Sequence, residues 1–280
     1  MSVRELPELP SLVPLFAKAV LPSLDRGPAR IPGDTVLVRG VGQDLGRLAD
    51  YDRVCGFGLS EVVPPTWLHV LTFGLHIELL SGRDSTIRLA GVVHVSNRMR
   101  LHRPVVVTDR LDVSARATHK RGALLDIVGE VHVDGELVWD GVSTYLAPGA
   151  KVPGTDEQLA REEYVPTTPN AVWRLPADLG RQYRAVSGDP NPIHTSRLAA
   201  RAFGFARPII HGMWTHARLL AAVQPRLPDA YAVEVGFARP ILLPGTVGAW
   251  WRPDADGWVA AVTDRAGAKP YLTARITPSP

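Results

Sequence analysis

Apolar and polar positions along this chain fall into a two-part pattern that occurs twice. Two segments are apolar on nearly every face, "LHVLTFGLHIELL" from Leu68 to Leu80 and "GMWTHARLLAAVQ" from Gly212 to Gln224. A helix that is apolar all round is enclosed by other structure, so each segment predicts a central, wrapped helix. Shorter runs rich in β-branched residues follow each one and predict strands. After the first come "LAGVVHVS", "RPVVVT", "LDVSARATH" and "ALLDIVGEVHVDGELVWDGVSTYL", the last turning back at Asp134-Gly135, a dipeptide suited to a two-residue hairpin. After the second come "YAVEVGF", "RPILL", "TVGAWWR" and "GWVAAVTD". The pattern predicts an α+β fold of two curved antiparallel sheets, each wrapped around one helix.

Short phrases recur in the same order. "DLGR" at Asp44–Arg47 returns at Asp178–Arg181, and "YDRVCGF" from Tyr51 is answered by "YRAVSGD" from Tyr183. "PTWLHVL" (Pro65–Leu71) aligns with "PIIHGMW" (Pro208–Trp214), and "RPVVVTD" from Arg103 with "RPILLPGT" from Arg239. Four matches at nearly one spacing predict two copies of one domain. Between them, Ala147–Pro169 is rich in Pro, Gly and charge without a sustained apolar period and reads as a linker. The expected organisation is a first domain over 1–146, the linker over 147–169 and a second domain over 170–280.

Composition narrows the function classes. The chain has 280 residues, 45% hydrophobic and 21% charged, with a formal charge of +3. Of the 31 basic residues only Lys18, Lys120, Lys151 and Lys269 are lysines, and like charges form no long block. Nucleic-acid binding is not expected. The apolar N-terminal run "SLVPLFAKAVLPSL" is broken by Pro14, Lys18 and Pro22, too short and interrupted to span a membrane. A single cysteine, Cys55, leaves no disulfide and no Cys pair for zinc, as in a reducing cytoplasm. Gly40, Gly42 and Gly46 loosely imitate a dinucleotide fingerprint, but the third glycine is one place late and belongs to the repeated "DLGR".

The chemistry concentrates in "YRAVSGDPNPIH", Tyr183–His194. Pro190 and Pro192 fix their own φ and push Asp189 and Asn191 out of the α region, which predicts a stiff loop with pre-aimed side chains. Thr195 or Ser196 then caps a short helix, "RLAARAF", closed by Gly204. An Asp and a His held this way can share general acid and base duties. They could equally be a turn former and a structural histidine.

The stretch resembles the signature of the MaoC-like (R)-specific enoyl-thioester hydratases, also called hydratase 2, in which a tyrosine precedes Ser-Gly-Asp-x-Asn-Pro-aliphatic-His. Tyr183, Ser187, Gly188, Asp189, Asn191, Pro192, Ile193 and His194 all match. The family's later "RP-aliphatic-x-HGM" element is met by Arg207, Pro208, Ile209, His211, Gly212 and Met213, and its "F-x-RP" strand element by Phe237, Arg239 and Pro240. The first copy is similar to the N-terminal half of two-domain 3-hydroxyacyl-thioester dehydratases, so the resemblance covers nearly the whole chain.

That resemblance implies a double hot-dog fold and reversible hydration of trans-2-enoyl thioesters to (3R)-hydroxyacyl thioesters. Asp189 and His194 are the implied acid/base pair. Gly212, at the start of the second central helix, is the implied backbone donor to the thioester oxygen. Asn191, Tyr183, Ser187, Gly188 and His211 are expected to bind substrate or support the loop, with His211 bonding backbone near the helix start. Neither metal nor redox cofactor is implied, since proton transfer suffices and the carrier, coenzyme A or acyl carrier protein, arrives with the substrate. A cytoplasmic enzyme, with a homodimer allowed, is the expected setting; the competing reading is a non-catalytic acyl-thioester-binding module. In the first copy Phe57 stands where Asp189 would, and the repeat alignment sets Val70 opposite Gly212.

Overall fold

The computed structural model describes residues 2–15, 30, 32–82, 85–87, 91–119, 122–147 and 164–279. Most of the expected linker and positions 16–24 of the apolar N-terminal run lie outside them. The chain divides into two compact units, one comprising Met1–Asp44 with Glu61–Ala160, the other Leu45–Ser60 with Arg161–Pro280. The boundary thus crosses the chain three times, and the expected first domain, 1–146, lends positions 45–60 to the second unit.

In the first unit the strands are β1 (Val3–Leu6), β2 (Thr35–Val41), β3 (Val93–Leu101), β4 (Leu111–His119), β5 (Leu124–Val133) and β6 (Glu136–Leu146), in the order β1-β2-β4-β5-β6-β3. Only β1–β2 is parallel; the other pairs are antiparallel. Alternate residues of β5 are buried, the period of two expected of a sheet with one face on the core. The β5–β6 hairpin turns at Asp134 (φ 51°) and Gly135 (φ 83°), both left-handed as that turn requires. Against the sheet lies a helix, Pro65–Ser81, with Trp67, Leu68, Leu75 and Leu79 fully buried. Gly129 on β5 lets this helix come close, since a Cβ there would sit 3.1 Å from the Thr72 side chain.

The second unit carries β7 (Ala171–Leu175), β8 (Tyr231–Phe237), β9 (Gly245–Asp254), β10 (Gly257–Asp264) and β11 (Pro270–Pro278), ordered β8-β11-β10-β9-β7 and antiparallel throughout. Numbering the helices from Leu45 onward, α1 is Leu45–Cys55, α2 is Pro65–Ser81 in the first unit, α3 is Leu179–Ser187, α4 is Arg197–Ala202 and α5 is Gly212–Val223. Each copy of "DLGR" therefore opens a helix, α1 or α3, and both helices belong to the second unit. They are joined there by Arg47 Nε donating to the Val186 carbonyl at 2.7 Å and by the Tyr51 and Tyr183 rings, 6.1 Å apart. No helix among the described residues is long and apolar enough to cross a membrane.

Two expected strands are absent. "RPVVVT" and "RPILL" each make only an isolated bridge, Val106 to Val62 and Leu242 to Ile209. Both begin Arg-Pro, and proline cannot donate to a ladder. They act as straps across the entries to the central helices: Val63 N–H donates to the Val105 carbonyl at 2.7 Å, and Ile210 N–H to the Ile241 carbonyl at 2.9 Å. Each strapped residue lies two places ahead of its helix.

Candidate active site

The segment Tyr183–His194 is half helix and half loop, not loop throughout. Tyr183–Ser187 forms the last turn of α3, and the prolines govern only the remainder, from Asp189 to His194. Gly188 ends the helix in the left-handed region at φ 79°, its N–H donating to the Arg184 carbonyl at 2.8 Å. From there the chain is braced by its own side chains. Ser187 Oγ accepts from Asp189 N–H at 3.3 Å, Asp189 Oδ1 from Asn191 N–H at 2.9 Å and Asn191 Oδ1 from Ile193 N–H at 3.3 Å. Pro192–His194 makes a 3-10 turn, and Ser196 rather than Thr195 caps α4, accepting from Ala199 N–H. The carbonyl of His194 passes so close to Gly180 on α3 that a Cβ there would fall on its oxygen.

These constraints aim three side chains at one point. His194 Nδ1 donates to the Ile209 carbonyl at 2.8 Å, which leaves the lone pair of the neutral ring on Nε2. With Oδ1 of Asp189 held by Asn191, its Oδ2 lies 4.0 Å from His194 Nε2 and 3.7 Å from His211 Nε2. The two imidazoles stack with centroids 3.6 Å apart and planes inclined by 24°, and the Tyr183 ring packs 4.8 Å from His211. His194 is 9% exposed and His211 3%. Burial lowers the pKa of His194, an effect partly offset by Asp189 and the Ile209 carbonyl. Burial, then His194 and Arg184, drive His211 well below the ordinary imidazole value. Asp189, His194 and His211 also form the group whose donor atoms, among the described residues, stand close enough to approach one cation.

His211 does not bond backbone as expected: neither ring nitrogen has a hydrogen-bond partner. It serves as N-cap of α5 through its backbone, with φ −62° and ψ 137°. Gly212 is the first helical residue, and the first N–H groups of a helix have no partner within it and lie at its positive end. The Phe237 ring lies over this glycine, 3.0 Å from where a Cβ would be. His216 is buried at 1% exposure in the same helix.

The first copy corrects the repeat alignment. The α2 cap, Pro64, has φ −60° and ψ 136°, matching His211, so Pro65 and not Val70 stands at the position of Gly212. This register pairs Trp67 with Trp214 and His69 with His216, a W-x-H repeat visible in the sequence. Proline has no N–H. Phe57, at the position aligned with Asp189, is 8% exposed and stacks on Tyr51 at 6.3 Å.

Several contacts escaped the sequence reading: the Ile209 carbonyl as acceptor, the close approach at Gly180, the Phe237 ring over Gly212 and the absence of hydrogen-bond partners on the His211 ring. Ile209, His211 and Phe237 stand in the matched motifs and Gly180 in the repeated "DLGR", but none of these motifs carries the contact itself.

Comparison with known proteins identifies the family. The model of the MaoC-like domain matches residues 152–252. The chain belongs to the MaoC-like hydratase and dehydratase family, and its fold is the double hot-dog of that family. It is 36% identical over 265 residues to 3-hydroxyacyl-thioester dehydratase X of Mycobacterium tuberculosis, covering 93% of each chain. The crystal structure of that organism's HtdX superposes with a TM-score of 0.76 at 36% identity, over 88% of this chain and 100% of the other. A second M. tuberculosis protein, described as a double hotdog fold, shares the fold at TM-score 0.51 and 14% identity, over 91% of this chain and 96% of that one.

Proposed function

We propose that this protein interconverts trans-2-enoyl and (3R)-hydroxyacyl thioesters, adding or removing water in fatty-acid metabolism, with Asp189 and His194 as the acid/base pair and Gly212 as the oxyanion donor. The observation that carries the reading is the convergence of Asp189 Oδ2 and His194 Nε2, 4.0 Å apart, beside the N-terminus of α5. Hydration forms a C3–O bond and breaks the C2=C3 π bond; the pair takes a proton from water and a proton is delivered to C2. Negative charge collects on the thioester oxygen as this happens. A backbone N–H at the positive end of α5 is suited to receive it, and the absence of a side chain on Gly212 gives the carbonyl access. Depressed basicity keeps His194 neutral near pH 7, so its Nε2 is ready to accept. The carrier is coenzyme A or acyl carrier protein, and the setting is a cytoplasmic enzyme, monomeric or homodimeric.

The test follows loss of the conjugated enoyl absorbance with crotonyl-CoA and a longer enoyl-CoA. Wild-type protein is expected to turn over at least one of them, while Asp189→Asn and His194→Gln each lose about two to four orders of magnitude. Near-normal turnover by either variant would remove that residue from the pair. Binding of thioester without any turnover by the wild type would replace the enzyme with an acyl-thioester-binding module.

A further inference from the structure

His211 is the one member of the cluster left without a task. Burying an imidazole at 3% exposure with neither nitrogen hydrogen-bonded costs free energy that a functional contact can repay. Its Nε2 points at the same carboxylate oxygen as His194, and more closely, 3.7 Å against 4.0 Å. One donor atom from each of Asp189, His194 and His211 lies within 4.8 Å of the other two.

Those spacings distinguish between occupants. Nitrogen and oxygen ligands about 2.0–2.1 Å from a tetrahedral zinc lie about 3.3 Å apart, closer than either measured separation. An oxygen making hydrogen bonds of about 2.8 Å to each corner, by contrast, fits a triangle of this size. The chemistry of the corners fits a water molecule too. Asp189 Oδ2 and His194 Nε2 are acceptors, His194 because its Nδ1–H is committed to the Ile209 carbonyl. They take the two water hydrogens. The water oxygen then has one lone pair to be anchored and one to attack C3.

We propose that His211 is a third catalytic residue, donating its Nε2–H to the oxygen of the reacting water, or of the C3 hydroxyl in the reverse direction. The assignment rests on the hydratase reading above. With one lone pair tied to His211 and both hydrogens directed to the pair, the remaining lone pair is aimed at the substrate. The atom balance is unchanged: His211 holds its proton throughout, and the water proton passes through Asp189 and His194. Its neighbours support a neutral ring, since the groups facing it are the His194 imidazole, the Asp189 carboxylate, the Tyr183 ring and, further off, the Arg184 cation.

The decisive comparison is His211→Phe against His211→Gln, assayed with the same enoyl-CoA. Phe keeps a flat ring to stack on His194 but cannot donate; Gln loses the stack but keeps an N–H donor. A water-anchoring role predicts kcat lowered roughly 10- to 100-fold in the Phe variant, KM within about twofold, and Gln several-fold more active than Phe. A role confined to packing predicts the opposite order, and a folded Phe variant with wild-type kcat overturns the assignment. Should the Phe variant fail to fold, His211→Leu against His211→Gln makes the same comparison. Exhaustive chelation is expected to leave wild-type activity intact; activity lost to a chelator and restored by a divalent cation would make the trio a metal site and also overturn it. A wild-type protein inactive on every enoyl thioester sinks the hydratase reading itself, an outcome distinct from any difference among variants.

Discussion

In the proposed mechanism Gly212 meets two demands, access for a carbonyl and room for Phe237, and a single methyl group tests both. In Gly212→Ala the new Cβ would lie 3.0 Å from the Phe237 ring, so the ring must yield by a few tenths of an ångström. Helix propensity favours alanine by up to about 1 kcal/mol, which offsets part of that cost. The fold should therefore survive while transition-state stabilisation drops by up to about 3 kcal/mol, the size of one oxyanion interaction, because the methyl hinders the carbonyl's approach to an N–H that alanine keeps. Thermal melting paired with kcat/KM checks this; unchanged kinetics in a folded variant would take Gly212 out of the site. At this scale the sequence was informative about identities and poor about geometry. Asp-x-Asn-Pro-x-His marks Asp189 and His194 because two prolines dictate local backbone. Nothing in "HGM" reveals that the His211 ring turns away from the backbone and onto His194, since that depends on Tyr183 and Asp189, which are distant in the chain.

Helix α3 shows how an element, and not only a loop, sets the position of a side chain. Gly180 lies in its first turn, where any Cβ would overlap the His194 carbonyl. Gly180→Ala should push the 3-10 turn Pro192–His194 away from α3 and so separate His194 Nε2 from Asp189 Oδ2. A loss of activity of about tenfold or more, with destabilisation of roughly 1–3 kcal/mol as for other overpacked sites, is expected. Denaturant unfolding alongside turnover measures both, and a neutral alanine would show that the contact does not hold the loop. Element identity was readable wherever periodicity was strong, as in β4, β8, β10 and α5. It failed at "RPVVVT" and "RPILL", because an apolar run looks the same whether it enters a ladder or crosses a helix entry as a strap. β11 escaped for a related reason: Pro270 opens it and Thr and Arg interrupt its apolar positions, yet it pairs with both β8 and β10.

Across the whole molecule, buried imidazoles make stability depend on acid. His69 is held down to about 4 and His76 well below the ordinary value, chiefly by burial, and His194 and His211 are lowered for the same first reason. The unfolded chain takes up these protons near pH 6.5, before the folded one does, so stability is present above pH 6.5 and falls as pH is lowered toward 4. His69 alone accounts for about 3 kcal/mol over that window. Asp52 works in the opposite direction. Burial raises its carboxyl to about 6, so the folded protein protonates first and gains relative stability as pH falls below 6. Four histidines against one carboxyl give a melting temperature that declines from pH 7 to pH 4.5, and Asp52→Asn should steepen the decline. A flat profile in the wild type, or a shallower one in the variant, would contradict this balance. The repeat predicted two similar cores, but not that α1 joins the second unit, since contacts with α3 and not chain order decide where it packs.

Pro65 carries a consequence for the history of the duplication. Gene duplication leaves a spare copy that selection can later return to service, provided the route back is short. On the proposed roles of Asp189 and Gly212 the first copy is the spare one, with an aromatic ring at the position aligned with the carboxylate and an imino acid at the first position of its central helix. No change of side chain at Phe57 can give the nitrogen of Pro65 a hydrogen. Reactivation therefore needs at least two coordinated replacements, neither useful without the other, and an intermediate carrying one of them offers selection nothing to retain. On that reading the arrangement behaves as a ratchet: with the proline in place, the first copy is hard to reclaim.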